Sequence, residues 1–294
     1  MKSSIRAALK YLYKIKTKII PTVYVDRFPF LQAIINRLAA ASRVNYVEDV
    51  LGHKMYLDHL DSLSLSTRGV YEPLETRFFQ ENVKAGQYVL DIGANIGYYT
   101  LLFARQVGEQ GRVYAFEPEP VNYSLLSRNL IANGYKNVVA VNKAVSDKAG
   151  EIDLNLSEEN SGGHRTFQTA PRGKTIRVNA IALDDFLKDI PHPFDWIKMD
   201  IQGAELFALK GMERMLRNND RIVLVTEFWP AGLTQTASDP REYLQLLADV
   251  GFDLYEFSAD ARRLRRVDPD YLLKTYSPQS HPAPYTNLVC KKSS

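Results

Sequence analysis

From about residue 80 the chain alternates short apolar runs, rich in Val, Ile and aromatic residues, with longer stretches whose apolar positions recur every three or four residues. Short runs of that kind read as buried parallel strands and the longer stretches as the helices that cover them, so the pattern predicts an α/β fold. The strands fall at 88–92, 112–116, 138–144, 194–199, 221–226, 252–257 and 287–291. Helices lie between most of them. The clearest are 121–133, stopped by Asn133-Gly134, and 204–217, which turns Leu206, Leu209 and Leu216 inward. Residues 151–181 break the rhythm. Two alternating segments, Ile152/Leu154/Leu156 and Ile176/Val178/Ala180, flank Ser161-Gly162-Gly163 and predict a β-hairpin inserted beside the sheet. Between the last two strands, the basic cluster 262–266 with Pro269, Pro278, Pro282 and Pro284 predicts an irregular connection.

The N-terminal stretch is patterned differently. Ile5, Leu9, Leu12, Ile15 and Ile19 recur at three or four residues while Arg6, Lys10, Lys14 and Lys18 step by four on another face, which describes a cationic amphipathic helix. Lys16 interrupts its apolar face, and no acidic residue precedes Asp26. Such a helix either packs on its own domain with the basic face in solvent or lies on an anionic membrane surface. This shift divides the chain into a helical or irregular extension, residues 1–69, and an α/β domain, residues 70–294, with the hairpin insertion near 151–181.

Composition narrows the classes. The 294 residues are 45% apolar and 24% charged, ordinary globular usage that neither a disordered nor a fibrous chain would have. With 37 basic against 34 acidic residues the net charge is +3, too small for a general nucleic-acid binder, and no nucleic-acid partner is expected. Cys290 is the single cysteine, which excludes an internal disulfide, a four-cysteine zinc site and a CxxC redox pair. No run approaches the roughly 18 to 20 apolar residues that cross a bilayer. Lys10, Lys14, Lys16 and Lys18 stand where a signal peptide needs an uncharged centre. The expectation is a soluble cytoplasmic protein, with peripheral contact at the inner membrane surface as the second reading of the basic helix.

Candidate chemistry centres on residues 89–100, Val-Leu-Asp-Ile-Gly-Ala-Asn-Ile-Gly-Tyr-Tyr-Thr, where a buried strand runs through a glycine turn into a helix. In open α/β sheets ligands bind at the carboxyl ends of strands, beside the free N–H groups of the following helix. Gly93 and Gly97 let a ligand approach the backbone. Twenty residues after Gly97 the second strand ends in Phe116-Glu117-Pro118, placing Glu117 to accept hydrogen bonds from two ribose hydroxyls. A dinucleotide fingerprint wants GxGxxG, but here the second and third glycines are Asn95 and Tyr98. A pyrophosphate would be poorly housed. S-adenosylmethionine, with its compact amino-acid tail, fits better, and Asp91 or Asp200 is placed to meet its ammonium.

The stretches from Asp91 to Gly97, Ala115-Phe-Glu-Pro118, Ala144-Val-Ser-Asp147, Lys198-Met-Asp-Ile-Gln-Gly-Ala-Glu205 and Thr226-Glu227 resemble, in order, the motifs of the FkbM family of S-adenosylmethionine-dependent methyltransferases. The likeness covers roughly residues 70 to 258. It implies a class I methyltransferase fold, a Rossmann-like seven-stranded sheet of order 3-2-1-4-5-7-6 with strand 7 antiparallel and helices on both faces. It also implies O-methylation of hydroxyls on sugars or polyketides. The family's donor motif maps onto Asp91, Gly93, Ala94, Asn95 and Gly97, its ribose acid onto Glu117, and its adenine-side segment onto Ala144 to Asp147. Gln202 departs from the pattern, since many members carry Glu before the glycine.

Lys198-Met199-Asp200 ends the fourth strand, so Asp200 lies at the strand tip, and Glu227 ends the fifth. In the sheet order that the resemblance implies, the two carboxylates lie side by side where an acceptor would sit. His164 stands in the hairpin loop, able to fold over the pocket, and completes the set of candidate proton acceptors: Asp200, Glu227 and His164. Glu205 reads equally well as a first-turn acid that compensates the helix dipole. No metal is required, and His53, His59, His192 and His281 have no ligand-like spacing. The leading reading is an O-methyltransferase for a glycan, glycolipid or related small hydroxylated metabolite. The alternatives are an RNA methyltransferase and a non-catalytic nucleotide-binding or membrane-associated scaffold.

Overall fold

Residues 45–156, 174–257, 263–280 and 283–293 are described by the computed structural model. In chain order the elements are β1 (Tyr46–Val50), β2 (His53–Tyr56), α1 (Leu65–Arg68), α2 (Pro73–Asn82), β3 (Tyr88–Ile92), α3 (Tyr98–Val107), β4 (Arg112–Phe116), α4 (Pro120–Asn133), β5 (Val138–Val141), β6 (Ala144–Val145), β7 (Gly150–Leu156), β8 (Lys174–Ile181), α5 (Leu183–Phe186), β9 (Trp196–Met199), α6 (Glu205–Lys210), α7 (Glu213–Arg217), β10 (Val223–Phe228), α8 (Pro230–Gln235), α9 (Pro240–Asp249), β11 (Phe252–Phe257), β12 (Leu264–Val267), α10 (Pro269–Thr275) and β13 (Thr286–Lys292). Three of the helices start alike. Glu119, Asp239 and Asp268 each accept a backbone N–H of the first turn, and a proline follows at the first helical position, where its missing N–H costs nothing.

The main sheet runs β12-β11-β13-β10-β9-β3-β4-β5. Strands β10, β9, β3, β4 and β5 are parallel, and β13 is antiparallel to both β10 and β11. Alternation along the strands separates two cores: Leu90, Ile92 and Phe116 join one apolar cluster with α6 and α9, whereas Val89, Val113 and Ala115 join another with α3 and α4. Helices therefore cover both faces.

The sheet has eight strands where seven were expected. The extra one, β12, pairs antiparallel with β11, and its Arg265 and Arg266 meet Glu256 and Asp253, so a charged edge strand and the helix α10 replace the predicted irregular connection. The predicted strand 138–144 divides. Asn142 donates to the carbonyls of Glu117 and Pro118 and turns the chain, so that β6 pairs with β8 in a separate three-stranded sheet with β7. The predicted helix 204–217 also divides, into α6 and α7. Between them Gly211 lies so close to the Ser146 carbonyl that a Cβ would stand 1.9 Å from its oxygen. The hairpin predicted at 151–181 is β7 and β8; its loop, with His164, and the amphipathic stretch 5–19 lie outside the described residues.

Residues of the predicted extension take part in the same structure. The β1–β2 hairpin and the segment after it contribute Val50, Met55, Leu57, Leu63 and Leu65 to the core beneath α3 and α4. Asn129 on α4 accepts from Tyr56 N and donates to Tyr56 O and Ile96 O, tying the hairpin to the turn after β3. Among the described residues no helix is long and apolar enough to cross a membrane.

Candidate active site

At the end of β3 the chain must reverse against the end of β9. Gly93 makes this possible at φ +82°, because a Cβ there would stand 2.0 Å from the Asp200 carbonyl oxygen. The Gly93 and Ala94 N–H groups both donate to Phe116 O at 3.0 Å, fastening the turn to the tip of β4. Asn95 then adopts a left-handed conformation, φ 50°, and accepts from Ile96 N through its own side chain. Just past β4, Glu117 accepts from Asn95 N at 2.8 Å on one oxygen and from Glu119 N at 2.9 Å on the other. Burial pushes its carboxyl up to about 7 despite those two donors.

Asp91 is fully buried beneath this turn. Its Oδ2 accepts from the Thr100 hydroxyl at 2.5 Å, while Oδ1 has no hydrogen-bond partner. Burial raises its pKa, and Lys198 opposes the rise. An acidic oxygen left unpaired in the interior costs stability unless a donor reaches it.

The opposite side is crowded with charge. Lys198 on β9 is buried, 3.4 Å from Asp200 Oδ2 and 4.9 Å from the centre of the Tyr99 ring. Burial alone would lower its pKa, but Asp200, Glu72 and Asp91 raise it. Gln202 donates to Asp200 Oδ1 at 2.8 Å and to Glu227 Oε2 at 3.2 Å. The amide that stands in place of the family's common glutamate thus joins two carboxylates that would otherwise repel. Glu227 is raised well above its ordinary value by burial, with Asp200 and Glu205 adding to it. Glu205 is wholly buried and accepts from Ile201 N and Gly203 N, so it braces the turn before α6 and does not face the site.

One cavity of about 390 Å³ joins the two sides. Of the residues singled out in the sequence, Asp91, Gly93, Ala94, Asn95, Glu117, Ala144, Asp200 and Glu227 line it. Two do not. Gly97 packs against α4, where a Cβ would meet Leu126 Cδ1 at 2.7 Å; Asp147 is exposed and accepts from the Ser146 hydroxyl. Glu72, Tyr71, Tyr99, Trp229 and Tyr285 also line the cavity and were not foreseen. For Glu72 the only local sign is Glu72-Pro73, a helix start, which says nothing of where the side chain goes. Among the described residues no three or more His, Cys, Asp or Glu side chains are grouped to hold a metal ion.

A sequence model of the methyltransferase FkbM domain matches residues 91–254. The chain belongs to the FkbM methyltransferase family. A second model, that of protein-L-isoaspartate(D-aspartate) O-methyltransferase, matches residues 15–148. Methyltransferase sdnD of Sordaria araneosa is 29% identical over 205 residues, 59% of this chain and 76% of that protein. Hexuronic acid methyltransferase AglP of Haloferax volcanii is 24% identical over 199 residues, 67% of this chain and 74% of that protein. The crystal structure of methyltransferase FkbM from Methylobacillus flagellatus aligns at 15% identity with a TM-score of 0.42, over 89% of this chain and 60% of that one. S-adenosylmethionine is the cofactor of this methyltransferase. The residues present fit it: the unpaired oxygen of Asp91 suits an ammonium, and Gly93, Ala94 and Asn95 line the cavity beside it.

Proposed function

We propose that this methyltransferase transfers a methyl group to a hydroxyl oxygen of a sugar, glycolipid or related polyhydroxylated metabolite. The observation that carries the reading is the single cavity with two chemically distinct ends, the Gly93 turn with Asp91 and Glu117 at one and the carboxylates Asp200 and Glu227 at the other. Bound S-adenosylmethionine supplies an electrophilic methyl group on a sulfonium sulfur. Asp91 takes the ammonium of the amino-acid tail through its unpaired oxygen, and each Glu117 oxygen keeps a lone pair for a ribose hydroxyl. Ala144 and Val145 form an apolar wall for the adenine. At the other end, carboxylates held by Gln202 and Lys198 accept hydrogen bonds from neighbouring hydroxyls and orient the one that reacts. The similarity to a hexuronic acid methyltransferase supports a sugar acceptor, and the near-neutral net charge disfavours RNA.

The direct test is turnover. Incubation with S-adenosylmethionine and a panel of methyl hexopyranosides should give S-adenosylhomocysteine and O-methylated sugar in equal amounts. Donor binding without product from any panel member would favour the scaffold reading.

Glu117→Ala tests the donor end. Losing hydrogen bonds to a charged group should weaken S-adenosylhomocysteine binding by about 1.5–3 kcal/mol. The same change strands Asn95 N and Glu119 N, so the melting temperature should fall too. Unchanged affinity by calorimetry would take Glu117 out of the site.

A further inference from the structure

Three carboxylates reach the acceptor end from three elements, and they are not equivalent. Both oxygens of Asp200 are engaged, one by Lys198 and one by Gln202, and Glu227 accepts from the same Gln202 amide. Each Asp200 oxygen and Glu227 Oε2 therefore already holds a donor from the protein. Glu72 stands apart. Among the described residues its one side-chain hydrogen bond comes from the Tyr99 hydroxyl, 2.8 Å from Oε2, and no cation lies within ion-pair distance.

The backbone at Glu72 is unusual as well. Glu72 has φ 40° and ψ 73°, a left-handed conformation that L side chains rarely adopt, immediately before Pro73. Its carbonyl accepts from Thr76 N at 2.9 Å, and the first turn of α2 fixes it. Such a conformation persists only where the surroundings hold it, and it turns the Glu72 side chain into the cavity beside Lys198 and Asp200.

We propose that Glu72, rather than Asp200, takes the proton from the acceptor hydroxyl, with Tyr99 as the residue that positions it. The assignment rests on the methyl-transfer reading above. As the acceptor oxygen bonds to the methyl carbon, its O–H bond breaks and the proton passes to the Glu72 carboxylate; the pair of the broken carbon–sulfur bond leaves on sulfur.

The electrostatic setting agrees. Burial pushes the Glu72 carboxyl up to about 7; Lys198 and the Tyr99 hydroxyl pull it down, while Asp200 and Glu75 push it up. Glu227 on β10 and Tyr98 on α3 also face it, as do Tyr71 and Tyr285, whose hydroxyls burial keeps neutral. A carboxylate poised near neutral pH is matched to general-base work.

The experiment compares wild type, Glu72→Gln, Asp200→Asn and Tyr99→Phe, using a methyl hexopyranoside that the wild type methylates. Glu72→Gln should lower kcat by about 10²- to 10⁴-fold and abolish the rise of activity with pH through 7, with S-adenosylhomocysteine affinity unchanged. Asp200→Asn should mainly raise KM. Tyr99→Phe removes a donor to the ionised carboxylate, so the rise should move to higher pH. Infrared titration of the ligand-free protein should show one carboxyl fewer near pH 7 in Glu72→Gln, a readout independent of turnover. Wild-type kcat and pH profile in Glu72→Gln, or an unmoved profile in Tyr99→Phe, would overturn the assignment. A wild type that binds S-adenosylhomocysteine but methylates no panel sugar overturns the acceptor reading and this assignment together; wild-type turnover with an unaffected Glu72→Gln overturns this assignment alone.

Discussion

Gly93→Ala is expected to abolish donor binding and to lower the melting temperature by about 5–15 °C. Two costs combine. A non-glycine residue at this positive φ costs about 1–2 kcal/mol, and overpacking adds about 1–3 kcal/mol. The clash is with backbone, the Asp200 carbonyl oxygen at 2.0 Å, so no side-chain rotation relieves it. Relief requires the tips of β3 and β9 to separate, which moves Asp200 and Lys198 together. Calorimetry with S-adenosylhomocysteine and a thermal melt read the two effects separately. A Gly93→Ala protein with wild-type affinity would mean that the donor does not lie against this turn.

That turn was legible in the sequence because its chemistry is local. A buried run, a glycine turn and an acid at the next strand tip lie within 30 residues, so Asp91, Gly93 and Glu117 are readable from spacing, while Asn95 enters through the family resemblance. Other features depend on distant partners. Nothing near Asn142 announces that its side chain bonds back to Glu117 and Pro118, so the strand at 138–144 reads as continuous. The break at Gly211 comes from Ser146, which is far away in sequence. Strand β12 was missed because Arg265 and Arg266 look like a solvated loop until Glu256 and Asp253 on β11 are seen opposite them. Glu72 was overlooked for a similar reason: left-handed backbone is ordinarily sought at glycine, and the residues that make this one useful, Tyr99, Lys198 and Asp200, come from α3 and β9.

Lys198→Met should destabilise the protein by about 3–5 kcal/mol at neutral pH, the cost of leaving buried charge uncompensated. Lys198 is the cation set among Asp91, Asp200 and Glu72, and a methionine of similar length would keep the packing while removing the charge. The loss should shrink on acidification, when the neighbouring carboxyls take up protons. The wild type should show the same trend. Glu117 and Glu205 titrate near 7 in the native protein, against an ordinary value of 4.5. Between those two values the native state holds protons that the unfolded chain has released, so stability falls as pH rises through that window. The ligand-free protein should therefore melt at a higher temperature near pH 5 than near pH 7.5. A melting temperature that climbs steadily from pH 5 to 7.5 would contradict the burial of these acids.

The tie from Asn129 to both Tyr56 and Ile96 bears on modularity. The family likeness begins in earnest at Asp91, and a shortened enzyme cut at residue 70 would look complete by its motifs. It would nevertheless lack Val50, Met55, Leu57, Leu63 and Leu65 from the core under α3, and Asn129 would lose its bonds to Tyr56. The same asparagine holds the Ile96 carbonyl, two and three residues from the Ala94 and Gly93 N–H groups that fasten the turn to β4. The smallest portable unit of this methyltransferase thus includes the β1–β2 hairpin, a piece of scaffold upstream of the FkbM match that is nonetheless tied, through Asn129, to the turn after β3.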